Sequence, residues 1–244
     1  MRPRTVAATV ALAALGAVIG SSIADLEPFG TPSGAANAFV RVVEHERHSA
    51  NAVNGITYDL RGLDTLGEEL ILFLAALGSA VLLRHGRGEK LDAAAEDEAR
   101  PRTAGLLRVA GALLVGPVIV FGAYIVAHGH LGPGGGFQGG VLLAGALLLV
   151  YVAGQLIGLE RVEPIALVEV ADAAGALAYA LVAVGGLVFA SAALFNFIPQ
   201  GTTGQMFSAG TIPVLSVAVG VEVTGAVALI LTELLDQALL RSDK

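Results

Sequence analysis

The chain has 244 residues, 55% of them hydrophobic and only 14% charged, with a mean hydropathy of +0.75. Soluble domains carry about 25% charged residues, so composition alone describes an integral membrane protein with several spans and no sizeable soluble domain. A net charge of −7 without a basic stripe argues against a nucleic-acid partner, and the lack of cysteine excludes disulfides, zinc–cysteine sites and iron–sulfur ligation.

The first apolar stretch, residues 6–24, follows Arg2 and Arg4 and ends in Ser22-Ile23-Ala24. This pattern fits a membrane helix and also has the look of a cleavable signal. The second stretch holds only 14 apolar residues, 70–83, about 21 Å of helix against a hydrocarbon core of about 30 Å. To cross, the helix must begin near Leu60. That start carries Asp64, Glu68 and, at the margin, Glu69 to membrane depth. Asp64 and Glu68 are four apart and share a face, with Arg61 one turn earlier. Two readings fit them: an acidic mouth that attracts cations, or an interfacial cap in which Asp64 and Thr65 satisfy the helix N-terminus. Residues 86–102 are charged and read as a cytoplasmic linker. The chain therefore divides into a two-helix module (1–85), a linker (86–105) and a four-helix domain (106–244).

In that domain the spans are 106–127, 139–158, 166–195 and 210–235. The expected fold is all-α, a polytopic membrane protein with six transmembrane helices arranged two plus four. No segment alternates strictly, which argues against a barrel. Between the third and fourth spans lies a glycine-packed turn in which His128, His130, Pro133, Gly134, Gly135, Gly136, Phe137, Gln138, Gly139 and Gly140 are singled out as structural. Two histidines with no nearby carboxylate point to structural hydrogen bonding or a proton relay ahead of metal binding. Gly134-x-Gly136-x-x-Gly139 matches a dinucleotide fingerprint in letters only, since a membrane helix precedes it where that motif needs a strand. Its glycines fit positive φ and close helix approach.

Glu222 stands mid-span in the sixth helix, where a lone carboxylate costs about 2.5–3.5 kcal/mol. Its helical neighbours Ala218, Val219, Gly225 and Ala226 are mostly small, so it is expected to face another helix, either as a proton or cation relay or as a protonated acid bonding that helix. Glu169 and Asp172 lie three apart near the cytoplasmic end of the fifth span and read first as a snorkelling acidic edge, with a place on an ion path as the other reading. Glu222, Glu68, Asp64, Asp172 and Glu169 are the candidates for an ion path. With both termini cytoplasmic, eleven Lys and Arg residues fall inside and three, Arg41, Arg47 and Arg61, outside. The glycine turn and the 196–209 turn then face outward. Tryptophan is absent and aromatics make up 5% of the chain, a thin interfacial belt that suggests protein neighbours in place of lipid.

The string His128-Gly-His-Leu-Gly-Pro-Gly-Gly-Gly-Phe-Gln-Gly-Gly140 resembles the hallmark turn of the MnhB-type subunit of the multisubunit Mrp-type sodium/proton antiporters. The same module also occurs in energy-converting membrane-bound hydrogenases. Asn196-Phe-Ile-Pro through Gly204-Gln-Met-Phe-Ser-Ala-Gly-Thr-Ile-Pro213 looks like that subunit's other outer loop. Asn51 to Glu68, with Arg-Gly-Leu-Asp-Thr-Leu-Gly-Glu at 61–68, is similar to the C-terminal end of the large antiporter subunit and to a small hydrogenase subunit. The resemblance implies a plasma-membrane subunit of a prokaryotic cation/proton antiporter or hydrogenase-type respiratory complex. Its partners would be other membrane subunits, the lipid bilayer, sodium ion and proton. It implies no enzyme activity, no cofactor and no metal; a purely structural scaffold is the other reading. One departure stands out: many MnhB-type sequences have Gly-Leu-Lys-Val in the last helix, and this chain has Gly-Val-Glu-Val, with Glu222 at the lysine position.

Overall fold

The computed structural model describes residues 3–26, 30–31, 33–83, 105–152 and 164–241. Contacts divide the chain into Met1–Ala38 and Phe39–Lys244. The first unit is built on α1 (Pro3–Ala24), which starts with proline in its first turn, where the missing N–H costs nothing. α2 (Gly34–Arg41) spans the division.

The second unit opens with two single π-helical turns, Val42–Glu46 and Ile56–Leu60, on either side of the short α3 (Ala52–Gly55). Asn51 caps α3, its Oδ1 accepting from the Val53 N–H at 3.0 Å. Then come α4 (Gly62–Leu83), α5 (Gly105–Ala127), α6 (Gly136–Val152), α7 (Pro164–Ala190) and α8 (Ile212–Arg241). Every regular element among the described residues is helical. Five of them, α1, α4, α5, α7 and α8, are long and apolar enough to cross a membrane. The fourth expected span, 139–158, falls on α6, of which 17 residues are described; its remainder and the linker 86–104 lie outside the described residues.

α8 is the core. In its apolar window 61% of residues are buried, against 22% or less in the other four helices. It packs against α4, α5, α6 and α7. Lipid offers no hydrophobic drive between helices, so close backbone approach must do this work. On α7 a Cβ at Gly175 would meet the Glu222 backbone N at 2.5 Å, and on α8 one at Gly225 would collide with the Asp172 N. Pro117 sits inside α5, as proline does in membrane helices whose neighbours re-satisfy the freed carbonyl.

Two boundaries differ from the sequence reading. The glycine turn ends at Gly135: Gly136, Phe137, Gln138, Gly139 and Gly140 form the first turns of α6. The last two glycines serve helix packing, since a Cβ at Gly140 would stand 2.9 Å from the Gly220 carbonyl and one at Gly139 2.7 Å from that of Gly122. The fifth span stops at Ala190 because Ser191 and Leu194 take positive φ, 59° and 60°, a conformation that breaks a helix.

Candidate functional site: buried carboxyls beneath a clamped rim

The segments expected to face outward meet at one end of the bundle. The Asn51 amide donates to the carbonyls of Gly129 and Gly132, both at 2.7 Å, and the Ser49 hydroxyl donates to the His130 carbonyl at 3.1 Å. Below the turn, the Gly136 N–H donates to the Tyr58 hydroxyl at 3.2 Å. The 196–211 loop is tied in through Asn196, which accepts from the Thr211 N–H at 2.8 Å and donates to the Ala209 carbonyl at 3.0 Å and to Asp59 at 3.3 Å. Asp59 also pairs with Arg47 at 2.8 Å. Burial pushes the Asp59 carboxyl above its usual range; Arg47 and the Asn196 amide pull it back only in part.

His130 is buried, and its Nε2 donates to the Met206 carbonyl at 3.1 Å, while Nδ1 has no partner among the described residues. Burial holds it below its ordinary value of 6.5, outweighing the hydrogen bonds that favour the charged form. The folded state therefore prefers neutral His130. The stability this contributes is present above the ordinary value and is lost as pH falls through the lowered one. Exchange protection of the amides in 203–209 is expected to drop between about pH 7.5 and about pH 5.5, and His130→Gln should flatten that drop. Equal protection at both pH values would show that His130 does not titrate there.

Deeper in the bundle three helices each bring one acid inward. Glu69 of α4 and Glu222 of α8 are 0% exposed, and Asp172 of α7 is 3% exposed. The inward stripe of α4, Gly62, Thr65, Glu69, Ala76 and Ala80, is small apart from Glu69, so the stripe fits against α8 with Glu69 enclosed. The Glu69 and Glu222 carboxyls face each other. Among the described residues, none of their four oxygens meets an N–H or hydroxyl donor, and neither does Asp172 Oδ1. Two carboxylates offer only acceptors, so the facing pair can form a hydrogen bond only by holding a proton between them. Among the described residues, the ion pairs are Arg47–Glu46, Arg47–Asp59 and Arg61–Asp64, and none reaches this cluster. Tyr58 and Tyr179 are also buried, and the Tyr179 hydroxyl donates to the Gly62 carbonyl at 2.9 Å.

Of the sequence candidates, the structure brings Glu222 and Asp172 together and sets Glu169 on the rim of a groove beside Asp172. Asp64 and Glu68 are on the exposed side of α4, Asp64 bonded to the Arg61 Nε at 2.7 Å. Glu69, the marginal member of that acidic group, is the one that faces Glu222. Tyr58, Asp59 and Ser216 join the polar network without having been singled out from sequence. Among the described residues no group of three or more His, Asp or Glu side chains is placed to hold a metal ion.

Residues 106–229 match a family model described as a domain related to the MnhB subunit of Na+/H+ antiporter. An uncharacterized protein of Methanocaldococcus jannaschii is 31% identical over 195 residues, 71% of this chain and 72% of that protein. A probable K(+)/H(+) antiporter A/B subunit of Rhizobium meliloti is 31% identical over 156 residues, 55% of this chain but 16% of that protein. Among solved structures, a chain of the membrane-bound sulfane sulfur reductase, an archaeal respiratory membrane complex, superposes with a TM-score of 0.75 at 29% identity, covering 95% of this chain and 98% of that one. A chain of the Mrp complex from a Dietzia species shares the fold, with a TM-score of 0.71 at 20% identity, over 96% of this chain and 26% of that one.

Proposed function

We propose, from this chain's place in the family of domains related to the MnhB subunit of Na+/H+ antiporters, to which it belongs, that it acts as a multi-pass membrane subunit of a multisubunit cation/proton antiporter and carries a proton relay. The observation that carries the relay is the meeting of Glu69, Glu222 and Asp172 inside the bundle with no basic partner among the described residues. An ionisable group kept at membrane depth costs several kcal/mol, and an amide would pack as well. Only a group that gains and loses a proton justifies that cost. Such a subunit moves ions and makes no covalent bond, so it is not an enzyme.

The two modules read from sequence, residues 1–85 and 106–244, fit a fusion of the end of the large antiporter subunit with the MnhB-type subunit. The likeness to a relative whose name joins A and B supports this. Both termini lie on the cytoplasmic side, supported by eleven basic residues there against three, Arg41, Arg47 and Arg61, on the other side. A second reading, a component of a respiratory membrane complex, is favoured by the 29% identity to a sulfane sulfur reductase chain that this chain covers to 98%.

The test is sodium-dependent proton flux in vesicles holding the whole complex. Glu222→Gln keeps the shape and hydrogen bonding but cannot ionise. Flux is expected to fall on the order of tenfold or more, equivalent to about 1.4 kcal/mol in the barrier, while native gels show an intact complex. Wild-type flux in that variant would end the relay reading.

A further inference from the structure

A groove of about 520 Å³ lies between α4 and α7, walled by Phe73, Leu77 and Ala80 on one side and by Glu169 and Asp172 on the other, with Leu229 of α8 at its floor. We propose that this groove is a water-filled vestibule through which Asp172 exchanges protons with the aqueous phase at the end of the bundle where α7 begins. The inference rests on the relay reading above and supplies its access route.

Three observations carry it. First, Asp172 lines the groove and is 3% exposed, and its buried Oδ1 has no donor among the described residues. Filled by an acyl tail, the groove would leave a carboxyl unsatisfied in hydrocarbon, a state that is strongly disfavoured when the group is charged. Water removes that cost. Secondly, the space is ample: at about 30 Å³ of liquid per water it holds on the order of ten. Thirdly, the depth is modest. Asp172 stands eight residues beyond Pro164 at the start of α7, about 12 Å of helix in a core of about 30 Å. Beyond Asp172 the way is closed, because Glu222 and Glu69 are 0% exposed. The Asp172 backbone lies against Gly225, one turn from Glu222, so the acid at the end of the groove is also the neighbour of the sealed pair.

The step balances. Hydronium in the groove gives a proton to the Asp172 carboxylate, leaving water and a neutral carboxyl. That proton passes to the Glu222 carboxylate, and Asp172 is ionised again. No other bond changes.

The chain contains no cysteine, so a single introduced thiol reports on its own surroundings. Leu77→Cys, and Val81→Cys as a second groove position in case the first fails to assemble, would be treated in the native complex with a charged methanethiosulfonate, which reacts with a thiolate and so needs water. Ile71→Cys, on the same helix and outside the groove, is the comparison. Groove thiols are expected to react at least about tenfold faster than Ile71→Cys. Groove thiols that react only with an apolar, membrane-permeant maleimide would mean lipid fills the groove. Groove thiols silent to both reagents would mean a neighbouring protein of the complex covers it. Either result overturns the vestibule while leaving the relay standing. Wild-type flux in Glu222→Gln would overturn the relay without altering thiol access.

Discussion

Gly175→Ala is expected to destabilise the packed unit by about 1–3 kcal/mol and to lower assembly of the complex. An added methyl would stand 2.5 Å from both the Cβ and the backbone N of Glu222 and 2.7 Å from the Ala218 carbonyl. These are mainly backbone atoms of the most buried helix, so no side chain can swing aside. The helices must separate, and Gly225, which meets the Asp172 backbone at the same crossing, loses its fit too. A loss of this size should lower the thermal midpoint in detergent by on the order of 5 °C. Gly78→Ala is the comparison. It is also helical, its added Cβ meets nothing within 4 Å, and alanine improves helix propensity by up to about 1 kcal/mol. Its midpoint should hold or rise. Equal loss in the two variants would show that glycine-specific packing at the α7–α8 crossing does not hold the unit together.

Helix positions were legible because hydropathy marks them directly: long runs without charges exist for one physical reason, solvation by lipid. Their ends were less so. Gly136 to Gly140 read as turn because glycine is the residue of turns, yet here glycine is selected by the approach of α5 and α8 to α6, and a single sequence does not separate the two uses. The positive φ at Ser191 and Leu194 left no mark, since neither residue favours that region. The clamp by Asn51 on the glycine turn was hidden for another reason. It joins residues 78 and 81 positions apart, and sequence patterns report local structure only.

The site shows the same division. Glu222 was legible from its setting, an acid among small and apolar residues mid-span. The choice among Asp64, Glu68 and Glu69 was a question of helical phase. The stripe Thr65, Glu69, Ala76, Ala80 is the inward face at spacings of four, seven and four, and small residues at that period point to Glu69 over Glu68. The weight given to Glu68 came from its pairing with Asp64 at four residues' distance, an argument about one face that did not ask which face was buried. The facing of Glu69 and Glu222 across two helices could not be read from one strand of sequence at all.

That facing leads to the sharpest expected result. Glu69→Gln and Glu222→Gln should each lower sodium-dependent proton flux on the order of tenfold or more, and the double variant should be no worse than the more damaging single. The reason is that two carboxyls around one proton titrate as a unit. Once either is an amide, the survivor has no carboxylate to share with, and removing it takes away a function already lost, so the two effects do not add. Assembly should hold in all three, because glutamine fills the same space and its amide can donate to the remaining carboxylate. Glu68→Gln, one residue away on the exposed side of α4, should stay within about twofold of wild type, as surface substitutions do. Multiplicative losses in the double variant would make Glu69 and Glu222 two separate proton carriers. A Glu68→Gln loss equal to that of Glu69→Gln would return the weight to an acidic mouth on the outer face of α4.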